Sequence, residues 1–587
     1  MQQPRVVTLL VWLAVASWSS PRPQAGSFHT EKNVAVPMRD GTVLRADVWR
    51  PSTEGKFPVL VYRTPYSKDR APESYTTFRK AVERGYAVVI QDVRGRFHSE
   101  GTFDPYRQEG RDGYDSIEWA AQQPWSNGAV GTFGLSYPGA VQWLAAVEKP
   151  RHLKAMAPAM TFSSPRNFFY SGGVADLSWI GWIWNNIAPD ARSRKKLDGP
   201  KTYAEAREAW RQHRERMQRF LPLRDLPELA EVAPFYREWF SHPPEDPWWN
   251  WCELRDKYAR VDAAVLNLSG WYDEAYGPEG ALTNFQGLAS TRQNRELRAR
   301  VIIGPWTHGV EETAQTKAGV REFAANAAID YDELVLRWMD RYVKGLANDV
   351  ENEYPVRVYV MGANVWREAH AWPLPGTKRR SLYLNHAVGP ERGIGLSWEY
   401  PSARQSSSRF ISDPANPVTD IHPPYSGAQD YREMARRPDV LVFDSAPLKE
   451  DLEVTGPITA EIYFSCDCPD ADLWVRLLDV AADGTALNLM SPGLDVIRAS
   501  YRNPARRELL KPGQIYRLRL DNLLTGNVFK KGHRIRVQIS GSFFPHFSRN
   551  LHTGEPETTS TAMRAARIRI YHERRHPSRL ILPVLRQ

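Results

Sequence analysis

Three residues far apart in the chain have the types needed to cleave an acyl bond: Ser136, Asp273 and His308. Ser136 sits in Gly134-Leu135-Ser136-Tyr137-Pro138-Gly139, between the apolar run "AVGTFG" and the small-residue stretch "PGAVQWLAAVEKP". A serine on a sharp strand-to-helix turn, with small residues two before and two after it, stands exposed as a nucleophile. Here Pro138 is two after and the second glycine comes one later. Proline is tolerated in a first helical turn, where its missing N–H has no intrahelical partner. Serine needs a base, and the base needs an acid to orient it. Asp273 ends "VLNLSGWYD" and His308 ends "VIIGPWTH", and the chain order Ser, Asp, His is one that builds such a triad. Taken singly, the serine could shape a loop, the aspartate cap a helix or turn, and the histidine satisfy a loop hydrogen bond. Their joint position on strand ends favours catalysis.

Those strand ends belong to a readable pattern. "VAVPMRDGTVLRADVWRP" alternates about Asp40-Gly41, a hairpin signal. "FPVLVYRTPY", "YAVVIQDVRG", "AVGTFG" and "LKAMAPAM" read as strands, with "DGYDSIEWAAQQPW" and the stretch after Ser136 as helices. Such alternation implies βα units around a mainly parallel sheet. From about Phe162 it is interrupted by "DLSWIGWIWNN" and "KTYAEAREAWRQHRERMQRFL", a tryptophan-rich helical insertion expected to cap the strand ends. The sheet pattern resumes with "AAVLNLSGWYD" and "RARVIIGPWTH". After Glu353 short alternating strands separated by Gly, Pro, Asp and Asn suit a β-sandwich, a jelly roll. The expected organisation is a signal peptide and linker (1–26), a first core segment (27–161), a helical cap (162–258), a second core segment (259–352) and a jelly roll (353–587).

The totals narrow the function classes. At 587 residues the chain exceeds the roughly 250–300 at which one core stops growing. The net charge of +9 is spread out, with no long Lys/Arg block, which argues against a nucleic-acid partner. The 21 tryptophans and 25 tyrosines are enough to line an apolar pocket as well as cores. Arg5 precedes the eleven-residue apolar run Val6–Ala16, within the roughly 7–15 of a signal-peptide core and short for a bilayer span. Export is therefore expected and stable membrane insertion is not, with an uncleaved anchor as the other reading. Three cysteines, Cys252, Cys466 and Cys468, allow one bridge at most, and "SCDC" lacks a second pair at zinc spacing. No metal and no cofactor is expected.

"GLSYPG", "GWYD" and "GPWTH" resemble the motifs of the cocaine-esterase-like (CocE/NonD) hydrolases, related to X-Pro dipeptidyl-peptidases, α-amino-acid ester hydrolases and glutaryl-cephalosporin acylases. The similarity runs from "VPMRDGTVLRADVWRP" through "YRTPYSK" and "QDVRGRFHSEG" into the β domain. The resemblance implies an α/β-hydrolase core with a helical cap and a C-terminal jelly roll. It implies Ser136 as nucleophile, Asp273 as orienting acid and His308 as base. It also implies an oxyanion hole from the Tyr137 backbone N–H and the Tyr66 phenol; a fixed O–H aimed at a developing oxyanion is a preorganised donor. Asp92, Arg94 and Arg96 are expected to serve loop architecture.

The expected reaction is hydrolysis of an ester or activated amide of a small molecule through an acyl-enzyme. Relatives that prefer α-amino acyl groups carry an acidic pair just after the triad aspartate, where this chain has Ala275 and Tyr276, although Glu274 and Glu279 lie close by. X-Pro dipeptidyl-peptidase and amino-ester or β-lactam acylase activities remain alternatives. A non-catalytic binding protein on the same fold is the reading from another class. Neither the natural substrate nor the oligomeric state is legible.

Overall fold

The computed structural model describes residues 28–164, 169–385, 394–490 and 494–585. The segment read as a signal peptide lies outside them. A ten-stranded sheet carries the N-terminal domain. Its strands are β1 (His29–Pro37), β2 (Val43–Arg50), β3 (Phe57–Thr64), β4 (Ala87–Asp92), β5 (Ser126–Leu135), β6 (Leu153–Ala159), β7 (Ala264–Gly270), β8 (Ala299–Gly304), β9 (Val356–Val360) and β10 (Val365–Ala369). They lie in the order β1-β2-β4-β3-β5-β6-β7-β8-β9-β10. From β4 to β9 every neighbouring pair is parallel, and antiparallel pairs close both edges. β4 and β8 are buried at every position. Strands covered on both faces must be apolar continuously rather than alternately, and this is why "AVVI" and "ARVII" read as they do.

The helices that cover the sheet follow from amphipathic stretches. α1 (Glu109–Ala121) packs on α2 (Tyr137–Ala146). Gly113 permits the contact, because a Cβ there would meet the Ala145 methyl at 2.6 Å. Between β6 and β7 the chain leaves the sheet. Ser178–Trp182 continues through a π-helical turn, Ile183–Ile187, into Ala188–Lys195, and α3 (Tyr203–Arg219) follows. α3 starts on a capping box in which Thr202 and Glu205 satisfy each other's backbone N–H. Phe169, Trp179, Trp239 and Trp249 interlock beneath these helices, with ring centroids 4.3–5.9 Å apart.

The second domain is strand-rich, from Thr377–Asn385 to Arg579–Leu585. Its strands form a mostly antiparallel sheet packed on a core that includes Phe443, Ile462, Leu477 and Val537. One expectation needs correcting. "YPVRVYVMGANVWREAHAWP", assigned above to the second domain, forms β9 and β10 of the first sheet, with Val356 beside Val301. Alternation marks a half-buried strand but does not say which sheet it joins. All three cysteines are buried and free, so the bridge left open above does not form. Asn267, within a formal glycosylation sequon, lies buried in β7 and donates to the Arg300 carbonyl.

The second domain and the cap meet at a buried charge cluster. The Arg498 guanidinium makes a bidentate pair with Asp472 at 2.9 and 3.0 Å and a third bond to Glu557 at 2.7 Å. The Glu557 carbonyl accepts from Leu223 N–H in the cap. Removing one partner strands buried charge. Arg498→Ala is therefore expected to cost about 3–5 kcal/mol, measured by urea unfolding. A shift below about 1 kcal/mol would mean that water reaches the two carboxylates.

Candidate active site

Four loops at the carboxyl ends of parallel strands build the site, where an open α/β sheet receives its ligands. Ser136 follows β5 with φ 69° and ψ −126°, a left-handed conformation that costs a non-glycine residue energy and is kept where function demands it. The surroundings hold it there. The Ser136 N–H donates to the Ala159 carbonyl of β6 at 2.9 Å, and its own carbonyl takes the N–H groups of Gly139 and Ala140. The two glycines have separate reasons. A Cβ on Gly134 would meet Pro138 at 2.6 Å, and one on Gly139 would meet the Ala159 carbonyl at 2.6 Å. The displaced second glycine is thus the one that lets the helix start pass over β6, and Pro138 fits the first turn of α2.

Asp273 lies in the turn after β7 and is fully buried. Its Oδ1 accepts from His308 Nδ1 at 2.8 Å and from the Ala275 N–H at 3.2 Å, and its Oδ2 accepts from Ser269 Oγ at 3.4 Å. A carboxylate on Nδ1 fixes the proton there and leaves Nε2 as the acceptor. His308, in the loop after β8, borders a cavity of about 480 Å³ together with Ser136, Tyr66 and Tyr276.

Tyr66 is two residues past β3. Its oxygen accepts from Trp182 Nε1 at 2.9 Å, and burial pushes its pKa up to about 12, so it remains a phenol donor at any ordinary pH. Arg96 does the architectural work expected of its loop. It is fully buried and donates to the Pro65 carbonyl, next to Tyr66, and to the carbonyls of Asn186 and Ile187 in the cap. Arg94 bridges Asp112 and Asp40, and Asp92 receives the Lys68 N–H. Tyr137 is the first residue of α2, where a backbone N–H has no intrahelical acceptor. Its phenol is tied away, donating to buried Glu109 at 2.8 Å.

Three site residues were not singled out from the sequence. Trp182 supports the Tyr66 oxygen from the cap. Tyr276 lines the cavity with Ser136 while its oxygen meets that of Tyr106 at 3.1 Å. Tyr425, from the second domain, sets its ring 6.3 Å from the His308 ring. Only Tyr276 carried a sequence signal, standing where some relatives have an acid. The two nearby carboxylates are both engaged: Glu279 with Ser163 and Thr283, and Glu274 with His546 at 3.5 Å and the Tyr425 N–H.

Comparisons with known proteins agree along almost the whole chain. The family model of the X-Pro dipeptidyl-peptidase (S15 family) matches residues 40–310, and that of the X-Pro dipeptidyl-peptidase C-terminal non-catalytic domain matches 348–581. Cocaine esterase of Rhodococcus sp. (strain MB1 Bresler) is 32% identical over 598 residues, 96% of this chain and 100% of that protein. Among solved structures, an α-amino acid ester hydrolase superimposes with TM-score 0.81 at 24% identity, over 98% of this chain and 100% of that one. An aminopeptidase of Thaumarchaeota archaeon gives 0.80 at 23%, over 98% and 99%; these two likenesses show the fold. The chain is a serine hydrolase with an α/β-hydrolase core. It belongs to the cocaine-esterase-like (CocE/NonD) family.

Proposed function

We propose that the protein hydrolyses esters or activated amides of small molecules, with Ser136 as nucleophile, His308 as base and Asp273 as orienting acid. The observation that carries this is the 2.8 Å bond from His308 Nδ1 to buried Asp273, beside the cavity that His308 shares with a strained Ser136. In the reaction His308 Nε2 takes the Ser136 proton as the hydroxyl adds to the carbonyl carbon. The oxyanion receives the Tyr66 O–H and the Tyr137 N–H. Protonated His308 gives its proton to the leaving group, and water resolves the acyl-enzyme by the same steps. The walls Trp179, Trp182, Tyr203 and Tyr425 suit an apolar or aromatic substrate. Export belongs to the same reading, on the strength of Val6–Ala16.

An ester preference over peptide cleavage is supported by the two carboxylates nearest the triad aspartate in sequence, Glu274 and Glu279, which are both engaged elsewhere. A fluorophosphonate probe tests the nucleophile: it should attach at Ser136, and failure to label folded protein would return the binding-protein reading. para-Nitrophenyl esters should outpace Gly-Pro anilides, and the reverse order would make the protein a dipeptidyl-peptidase. Tyr66→Phe removes one oxyanion donor and is expected to lower kcat by about 10²–10³, with KM moved far less. A loss below tenfold would take Tyr66 out of the oxyanion hole.

A further inference from the structure

A second cavity of about 680 Å³ adjoins the catalytic one, and the two share Ser178, Trp182, Asn186 and Tyr425 as walls. α3 runs along both. Tyr203 and Arg207 face the first, and Trp210, Arg214 and Gln218 face the second, positions three or four apart that form one stripe of a helix. At about 1.5 Å per residue, Arg207 and Arg214 stand about 10 Å apart along the axis.

The two shared aromatics contact different parts of the reacting centre. Trp182 lies on the oxyanion side, bonded to Tyr66. Tyr425 lies on the imidazole side. A leaving group takes its proton from His308, so it departs past Tyr425, toward the second cavity. Tyr425 is a firm wall, because its backbone is held at φ 60° with its N–H on Glu274.

The second cavity has its own chemistry. Trp210, Ile421 and Phe544 give it apolar surface. Arg219 is paired with Glu215 at 3.2 Å, and Asp420 accepts from the His422 N–H and the Tyr431 hydroxyl. Arg214 makes no ion pair among the described residues. Asp420 is held by two donors, whereas the Arg214 guanidinium has no hydrogen-bond partner among the described residues, and a carboxylate is its complement.

We propose that this cavity is a leaving-group subsite: it takes the distal end of an elongated alcohol or phenol whose far end carries a carboxylate, bound by Arg214. The proposal rests on the hydrolase reading above. Water adds across the ester, the acyl half leaves as a carboxylic acid, and the carboxylated alcohol departs through the second cavity.

Three acetate esters test it: of phenol, of para-phenylphenol and of para-(para-carboxyphenyl)phenol. They share one acyl group and differ in length and distal charge. kcat/KM is expected to rise along the series. In Arg214→Gln the advantage of the carboxylated ester over the neutral biphenyl should fall about fivefold, the upper scale of one exposed charge contact, and Arg214→Glu should reverse it. Arg207→Gln should leave that ratio in place. Phenyl esters with the carboxylated biphenyl on the acyl side should show no dependence on Arg214. If length and charge have no effect while Ser136 still labels, the subsite is overturned and the hydrolase stands. If the charge effect follows Arg207, or appears on the acyl side, the carboxylate lies elsewhere and the proposal fails. If Ser136 does not label and none of the esters turns over, the hydrolase reading falls first.

Discussion

Ser136→Ala should lower kcat on an activated ester by about 10⁵–10⁶, the scale at which a serine hydrolase loses its covalent route. What remains should be the modest catalysis of the oxyanion donors and binding alone. The variant is expected to fold, because the elbow is held by backbone bonds to Ala159, Gly139 and Ala140 that alanine also makes. Its thermal midpoint should move by only a few degrees. The measurement pairs steady-state kinetics with a melting curve. A folded variant that keeps a tenth of the rate would end the nucleophile assignment.

The second large effect concerns Asp273, and here the geometry makes a finer claim. Asp273→Ala removes the acceptor on His308 Nδ1 and should cost kcat about 10⁴ or somewhat more. Asp273→Asn should cost less, by about tenfold, for a reason specific to this site. Both donors that face the carboxylate most closely, His308 Nδ1 and the Ala275 N–H, converge on the same oxygen, Oδ1. An asparagine can put its carbonyl oxygen there and its amide toward Ser269 Oγ, whose hydroxyl is able to accept. The imidazole then keeps its useful tautomer, and only the charge that steadies the imidazolium is lost. Equal losses in the two variants would show that the amide turns its nitrogen to the histidine. A loss below tenfold in Asp273→Ala would remove the aspartate from the machinery.

Much of the fold was legible because the sheet needs a recognisable residue pattern. Strands buried on both faces appear as unbroken apolar runs, as in β4 and β8. Some strands of the second domain bury one face and alternate, as "ARIRIYHE" does in Ala566–Glu573. The elbow was legible through its glycines, and Asp273 and His308 through their place at strand ends. β9 and β10 were misassigned because a strand's residues describe the two faces it presents, whereas its partner is chosen across the edge by backbone hydrogen bonds that every residue type offers. The proline departure at Pro138 looked like an irregularity until the Ala159 carbonyl showed which position had to stay small.

The chain order by itself determined the class of chemistry. A serine on a tight turn and an acid and a histidine at later strand ends are local features, written in neighbouring residues and in the period of burial. Tertiary structure alone decided what surrounds them. Trp182 from the cap, Tyr276 from the loop after β7 and Tyr425 from the second domain converge on one cavity, although more than two hundred residues separate the first from the last. The physical reason is that a pocket wall is made by packing between elements. Contacts at long sequence separation leave no periodic trace in the chain, and an aromatic facing a substrate is spelled the same way as one facing a core.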